Sequence, residues 1–163
     1  MNGDFSPADI LTAHHEAGHA IVALAMGREV HRVSIVPAKS RLGHCELKKG
    51  SARSAKDWLE AEALILLAGV AAEGRLSGQY CWSGASRDLR QVRELTTMRA
   101  GSEEQAARLE KRLLDKVENL LDSDEIWEAI QAVAGELLVR QTISGRNARH
   151  HYEMSKARAA KRR

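Results

Sequence analysis

Aromatic residues make up only 4% of the sequence, so any core has to be built from Leu, Ile, Val and Ala. Only 2 Pro are present, which favours long helices over many turns. Two cysteines, Cys45 and Cys81, are too few for a disulfide framework. The start Met1-Asn2-Gly3-Asp4 is not basic and leads into no apolar stretch. The expected compartment is therefore a reducing cytoplasm, with both thiols free. The longest strongly apolar run, Ala63–Ala72, is far shorter than the about 20 residues a bilayer requires, so no transmembrane segment is expected. What is present is an ordinary globular balance, 44% hydrophobic and 29% charged, which excludes wholesale disorder. A chain of 163 residues buries a core without disulfide or metal staples.

The net charge of +3 conceals an asymmetry. Residues 146–163 carry 7 basic side chains and 1 acidic one, and the rest of the chain carries 18 and 21. Residues 146–163 therefore read as a basic C-terminal tail, helical or disordered, and a solvated, frayed end is preferred to a nucleic-acid surface.

Ser6-Pro7-Ala8-Asp9 has the pattern of a helix start, with Ser6 as cap and Pro7 in the first position, and the helix should stop at Gly27. Glu29–Val36 alternates as a strand does, with Arg41–Leu47 as its partner across Ala38-Lys39-Ser40. Everything after Ser54 reads helical. Trp58–Leu76 is apolar nearly all round, as a central helix would be, and Trp58 and Trp127 read as core. Asp88–Arg99 is amphipathic, and Ser102 caps a helix that breaks at Asp122–Asp124. That helix and the next should form an antiparallel hairpin. The expected fold class is mainly α, a helical bundle with one small β-hairpin or sheet beside the first helix.

The chemistry concentrates in His14-His15-Glu16-Ala17-Gly18-His19-Ala20. His15 and His19 are four residues apart, so their rings project from one face of the helix. Two neutral imidazoles at that spacing can hold one Zn²⁺, and Glu16 beside them can take a proton from water without coordinating. Gly18 is expected to leave room beside the metal. His14 points about 100° away from His15 and is left out.

A catalytic zinc site needs a third protein ligand and an open position. Val22 and Ala25 stand where the metzincin pattern requires glycine and histidine, which excludes that class. Among the downstream acids, Asp88 follows the small-residue run Ser83-Gly84-Ala85-Ser86. Spacing alone leaves it open between a ligand and an ordinary acid answering a helix dipole. Cys81 is its rival. Glu73 ends an apolar helix and would be costly to bury without a partner, which makes it the candidate for orienting a histidine.

His15-Glu16-Ala17-Gly18-His19-Ala20 resembles the active-site helix of the FtsH-type zinc peptidases, the protease half of the membrane AAA+ proteases. Val33–Pro37 with Leu42-Gly43 is similar to that family's strand and edge-strand segment. Leu67–Glu73 is similar to its Gly-x-Ala-Ala-Glu helix, and Leu137–Gly145 to a late turn. Ser83–Leu89 is similar to the segment whose aspartate is the third zinc ligand, and so implies that role for Asp88.

The resemblance covers about Ala13–Gly145, so residues 1–145 are taken as an FtsH-like peptidase domain. It implies a zinc endopeptidase with Glu16 as the base and an extended peptide or unfolded protein segment lying along Leu42, Gly43 and His44. His44 has the further reading of a plain surface histidine. Two features depart from the family pattern: Gly74 follows Glu73 in place of a second glutamate, and His14 precedes the motif. No Gly-x-x-x-x-Gly-Lys-Ser/Thr loop is present, so ATP-independent cleavage is expected, with folded substrates left to an AAA+ partner. The alternative is a non-catalytic zinc-binding adapter derived from such a domain, against which the intact Glu16 stands. Oligomeric state is left open.

Overall fold

The computed structural model describes residues 4–49 and 57–163. Among the described residues there are six helices and a small antiparallel sheet, and the mainly α class is as expected. Helix α1 (Pro7–Ala25) starts where the capping pattern puts it, with the Ser6 hydroxyl accepting the Asp9 N–H at 3.1 Å. Strand β1 (Val30–Ser34) pairs with β2 (His44–Leu47), Val33 opposite Cys45. Helix α2 (Trp58–Ser77) is capped by the Asp57 carboxylate, which accepts the Glu60 N–H. The helical reading of residues 54–56 lies outside the described residues.

Next come α3 (Ser86–Arg99), α4 (Glu103–Leu121) and α5 (Asp124–Arg140). A third strand, β3 (Thr142–Ser144), leads directly into α6 (Gly145–Lys161).

Helices α1 and α2 form the centre. Their facing surfaces are made of small side chains, with Ala13, Ala17, Ala20, Ala68, Ala71 and Ala72 all buried. A Cβ at Gly18 would stand 2.6 Å from the Ala68 carbonyl oxygen and 3.0 Å from the Ala72 Cβ. Gly18 therefore serves backbone-to-backbone contact between the two helices and not, as expected, room beside the metal. Leu113, Val117 and Leu121 of α4 close the core from one side, and Ile126, Ile130, Val133 and Leu137 of α5 close it from another.

The small sheet has three strands, ordered β2-β1-β3, because Gln141, at φ 63°, turns the chain out of α5 and sets Ile143 opposite Val33. Three expectations are corrected. Strand β2 begins at His44 and not at Arg41, whose only bridge is to Ala38 within the loop. Helices α4 and α5 do not pack as a hairpin: α4 lies on α2 and α3, while α5 lies on α1 and α6. Trp58, read as core, is 49% exposed in the first turn of α2, whereas Trp127 is half-buried beneath the Arg75 guanidinium, 4.5 Å from its ring centre.

The basic C-terminal segment is helical and docked. Ser144 caps α6, which packs on α5, β1 and α1 with Ala148 and Ser155 buried. Arg149 and Arg162 pair with Glu29 and Glu128. Ending the chain at Ser144 should therefore lower unfolding stability by about 2 kcal/mol or more, the scale of uncovering one or two aliphatic side chains. Urea denaturation measures this. A frayed end would be lost for less than about 0.5 kcal/mol.

Candidate active site

Residues Ala13 to Ala23 of α1 are buried without interruption, so His15, Glu16 and His19 are held inside the protein. The two imidazoles stand edge to face, with ring centres 4.6 Å apart. Their Nε2 atoms are 3.0 Å apart. Asp88 arrives from the first turn of α3, where the N-cap residue Ala85 is buried. Its Oδ2 lies 3.1 Å from His15 Nε2 and 3.2 Å from His19 Nε2.

The opposite ring nitrogens are both held by α2. The Nδ1–H of His19 donates to the Ile65 carbonyl at 2.7 Å, and that of His15 donates to the Glu73 carboxylate. A carbonyl can only accept, so His19 carries a proton on Nδ1, which leaves Nε2 facing the cluster as the potential ligand atom. Glu73 thus reaches the outer ring nitrogen of His15.

Sequence reasoning passed over Gly69. A Cβ there would lie 2.6 Å from His15 Nε2 and 2.7 Å from both His15 Cε1 and His19 Nε2. Ile65, Gly69 and Glu73 follow one another at four-residue intervals, so one stripe of α2 supplies an anchor, a gap and a second anchor. The signal was present in the Gly-x-Ala-Ala-Glu segment, but the sequence does not say which helix face turns toward α1.

The donor set fits a divalent metal ion. Three acceptor atoms converge at 3.0–3.2 Å, close to the about 3.3 Å between ligand atoms that tetrahedral zinc bond lengths imply. With both Nε2 atoms unprotonated, the lone pairs facing one another at that distance repel, and either a proton on His15 or a metal cation among them relieves the repulsion. Among the described residues, His15, His19 and Asp88 are the group whose ligand atoms come within 4.8 Å of one another. The protein's own electrostatics also call for positive charge. Burial opposes protonation of His15, yet Asp88 and Glu73, with the charge of Glu16, outweigh it and lift its pKa to about 10. Burial likewise works against ionisation of Asp88, and the two imidazoles prevail, holding its carboxyl well below the usual range. Cys81 is exposed, with its sulfur 3.8 Å from the Ser83 hydroxyl, and does not join the group.

Glu16 lies beside the ligands on the wall of a cavity of about 520 Å³. Burial pushes its pKa up from the ordinary carboxylate value. Gly43 is buried directly against it: a Cβ there would stand 2.8 Å from Glu16 Cγ and 2.9 Å from Oε1. Leu42 projects, 70% exposed, and His44 is half-buried, both on the cavity lining. Cys45 also lines the cavity, and burial raises its thiol pKa. His14 faces elsewhere, donating to the Ile10 carbonyl at 2.8 Å, with its ring centre 6.1 Å from that of Trp127.

The chain belongs to peptidase family M41, whose sequence pattern matches residues 8–102, more than half of its length. Similar relatives include the ATP-dependent zinc metalloprotease FtsH 4 of Sorangium cellulosum, 35% identical over 52% of this chain and 14% of that protein. The ATP-dependent zinc metalloprotease YME1L of Drosophila melanogaster is 37% identical over 55% of the chain and 13% of its own length. A third, the ATP-dependent zinc metalloprotease FtsH of Magnetococcus marinus, is 29% identical over 81% of the chain and 26% of its own length. The chain thus spans about a quarter or less of the relatives it matches. None of its described helices is long and apolar enough to cross a membrane.

Gly69→Ala provides a direct check on the site. In an ordinary helix interior this change stabilises by about 1 kcal/mol. Here zinc affinity should fall at least tenfold because the new methyl displaces both imidazoles, an outcome read by competition with a chromogenic chelator.

Proposed function

We propose that this chain is a zinc-dependent endopeptidase that cleaves flexible peptides or unfolded protein segments. The observation that carries the reading is the convergence of His15, His19 and Asp88 beside a buried carboxylate on a cavity wall. His15, His19 and Asp88 would hold the ion, with Glu73 and the Ile65 carbonyl fixing the two imidazoles. When bound, zinc supplies acidification of water and polarisation of the scissile carbonyl. Glu16 is the general base. It takes a proton from the attacking water at a carboxylate oxygen and returns that proton to the leaving amine. Its raised pKa suits both halves of that task, since a more basic carboxylate accepts more readily and its acid form still donates.

Strand β2 is an edge of the sheet, and the residues just before it line the cavity. An extended peptide adding to that edge would run past Leu42, Gly43 and His44. Gly43 has a second task in this reading, since its missing side chain is the space Glu16 occupies.

The 163 residues contain no phosphate loop, so cleavage by this chain alone runs without ATP, and folded substrates need an unfolding partner of the AAA+ kind. The adapter reading has no observation in its favour, because a carboxylate buried for no chemical purpose costs folding energy.

Two substitutions test the proposal. Glu16→Gln should keep stoichiometric zinc, measured by atomic absorption, and lose peptide cleavage by about 10²–10⁴-fold. Equal cleavage by that variant would refute the role of Glu16. Glu73→Gln should weaken zinc binding by about 10–100-fold, in line with the loss of a carboxylate that orients a ligand.

A further inference from the structure

The mouth of the cavity carries cations that this chemistry does not use. Arg41 and Arg87 both line it, and both are exposed. They come from different elements, Arg41 from the β1–β2 loop and Arg87 from the first turn of α3. The Arg87 Nη2 donates to the Ser40 hydroxyl at 3.1 Å, which holds that guanidinium against the neighbour of Arg41. This contact uses one of its five N–H donors. Among the described residues, the arginines in ion pairs are Arg28, Arg32, Arg75, Arg93, Arg99, Arg108, Arg140, Arg149 and Arg162, and neither Arg41 nor Arg87 is one of them. His44 lines the same mouth.

The acids of the cavity are otherwise engaged. Glu16, Glu73 and Asp88 belong to the metal cluster, and Glu62 is paired with Arg28. The rim is therefore left with two arginines that have no carboxylate partner, Arg41 next to Ser40 in the chain and Arg87 hydrogen-bonded to it. Arg87 also immediately precedes Asp88 in α3, and both residues line the cavity.

We infer that Arg41 and Arg87 form a subsite for a peptide carboxylate next to the scissile bond, so that the chain selects acidic substrates. The inference rests on the peptidase reading and adds a substrate class to it. A guanidinium matches a carboxylate with two parallel N–H···O bonds, and two such groups on one rim favour an anion over its amide isostere. The carboxylate can belong to an Asp or Glu side chain or to the free end of a peptide, since the recognising chemistry is shared.

Binding tests this separately from cleavage. Fluorescent peptides that differ only as Glu against Gln, and as free acid against C-terminal amide, are titrated by anisotropy into the zinc-loaded Glu16→Gln chain. At low salt, the peptide carrying the recognised carboxylate should bind about tenfold more tightly than its neutral partner. The preference should shrink as ionic strength rises. The Glu/Gln pair reports a side-chain carboxylate, and the acid/amide pair reports a terminal one.

The Arg41→Gln/Arg87→Gln double variant should reduce the preference to less than about twofold, with circular dichroism and zinc content unchanged. Arg41→Glu/Arg87→Glu should transfer it to a lysine peptide. Equal binding of acidic and neutral peptides, no binding of either, or a preference that survives the double variant would each overturn the subsite. Cleavage by the unsubstituted chain without acidic preference would leave the peptidase reading standing alone. Preference in binding without any cleavage would do the reverse.

Discussion

The site depends on the contact between the backbones of α1 and α2. Gly18 admits the Ala68 carbonyl, and the alanines around it keep the two helix axes close. Only at that distance can a carbonyl and a carboxylate of α2 reach the outer ring nitrogens of α1. Gly69 then prevents the same closeness from crowding the imidazoles. One glycine on each helix thus does opposite work: the first brings the helices together, and the second keeps the ligands apart.

The rest of the fold supports this pair. Helix α3 leaves the end of α2 through a short loop and delivers Asp88 in its first turn, where a carboxylate is placed by the backbone and not by a long side chain. The sheet lies on the far side of Glu16, with the loop before β2 bringing Gly43 onto it. Helices α4, α5 and α6 contribute none of the metal-cluster residues and close the core. The five ionisable groups His15, Glu16, His19, Glu73 and Asp88 are thereby largely withdrawn from solvent, and the pKa shifts of His15, Glu16 and Asp88 arise from burial together with their neighbours in the group.

Much of this was legible in the sequence, for identifiable reasons. Caps such as Ser6 and Ser102 act within a single turn, so local pattern located those helix starts, whereas the Asp57 cap emerged only in the structure. The His15/His19 spacing is likewise a property of one helix. Asp88 was ambiguous by spacing, because its partners lie 73 and 69 residues away, and only resemblance favoured it. Features that needed two elements at once escaped. Gly18 and Gly69 could not be assigned to their neighbours without knowing how α1 and α2 rotate against each other. Thr142–Ser144 is too short to announce itself as a strand, and it forms because Gln141 turns the chain back beside β1. A helix apolar on all sides gave no sign that Trp58 lies outside the packed region, and the charge of the last helix hid its buried Ala148 and Ser155.

The alanine and glycine seam has a dynamic consequence. These residues have no rotamers to lose on folding and none to sample afterwards. The ligand-bearing helices therefore meet through a joint without internal degrees of freedom, and the imidazoles inherit its stiffness. Such a joint buries little hydrocarbon per residue, so cohesion has to come from the aliphatic outer helices. Strength and geometry are consequently held by different parts of the chain, which lets the periphery drift in sequence while the reacting centre stays in register.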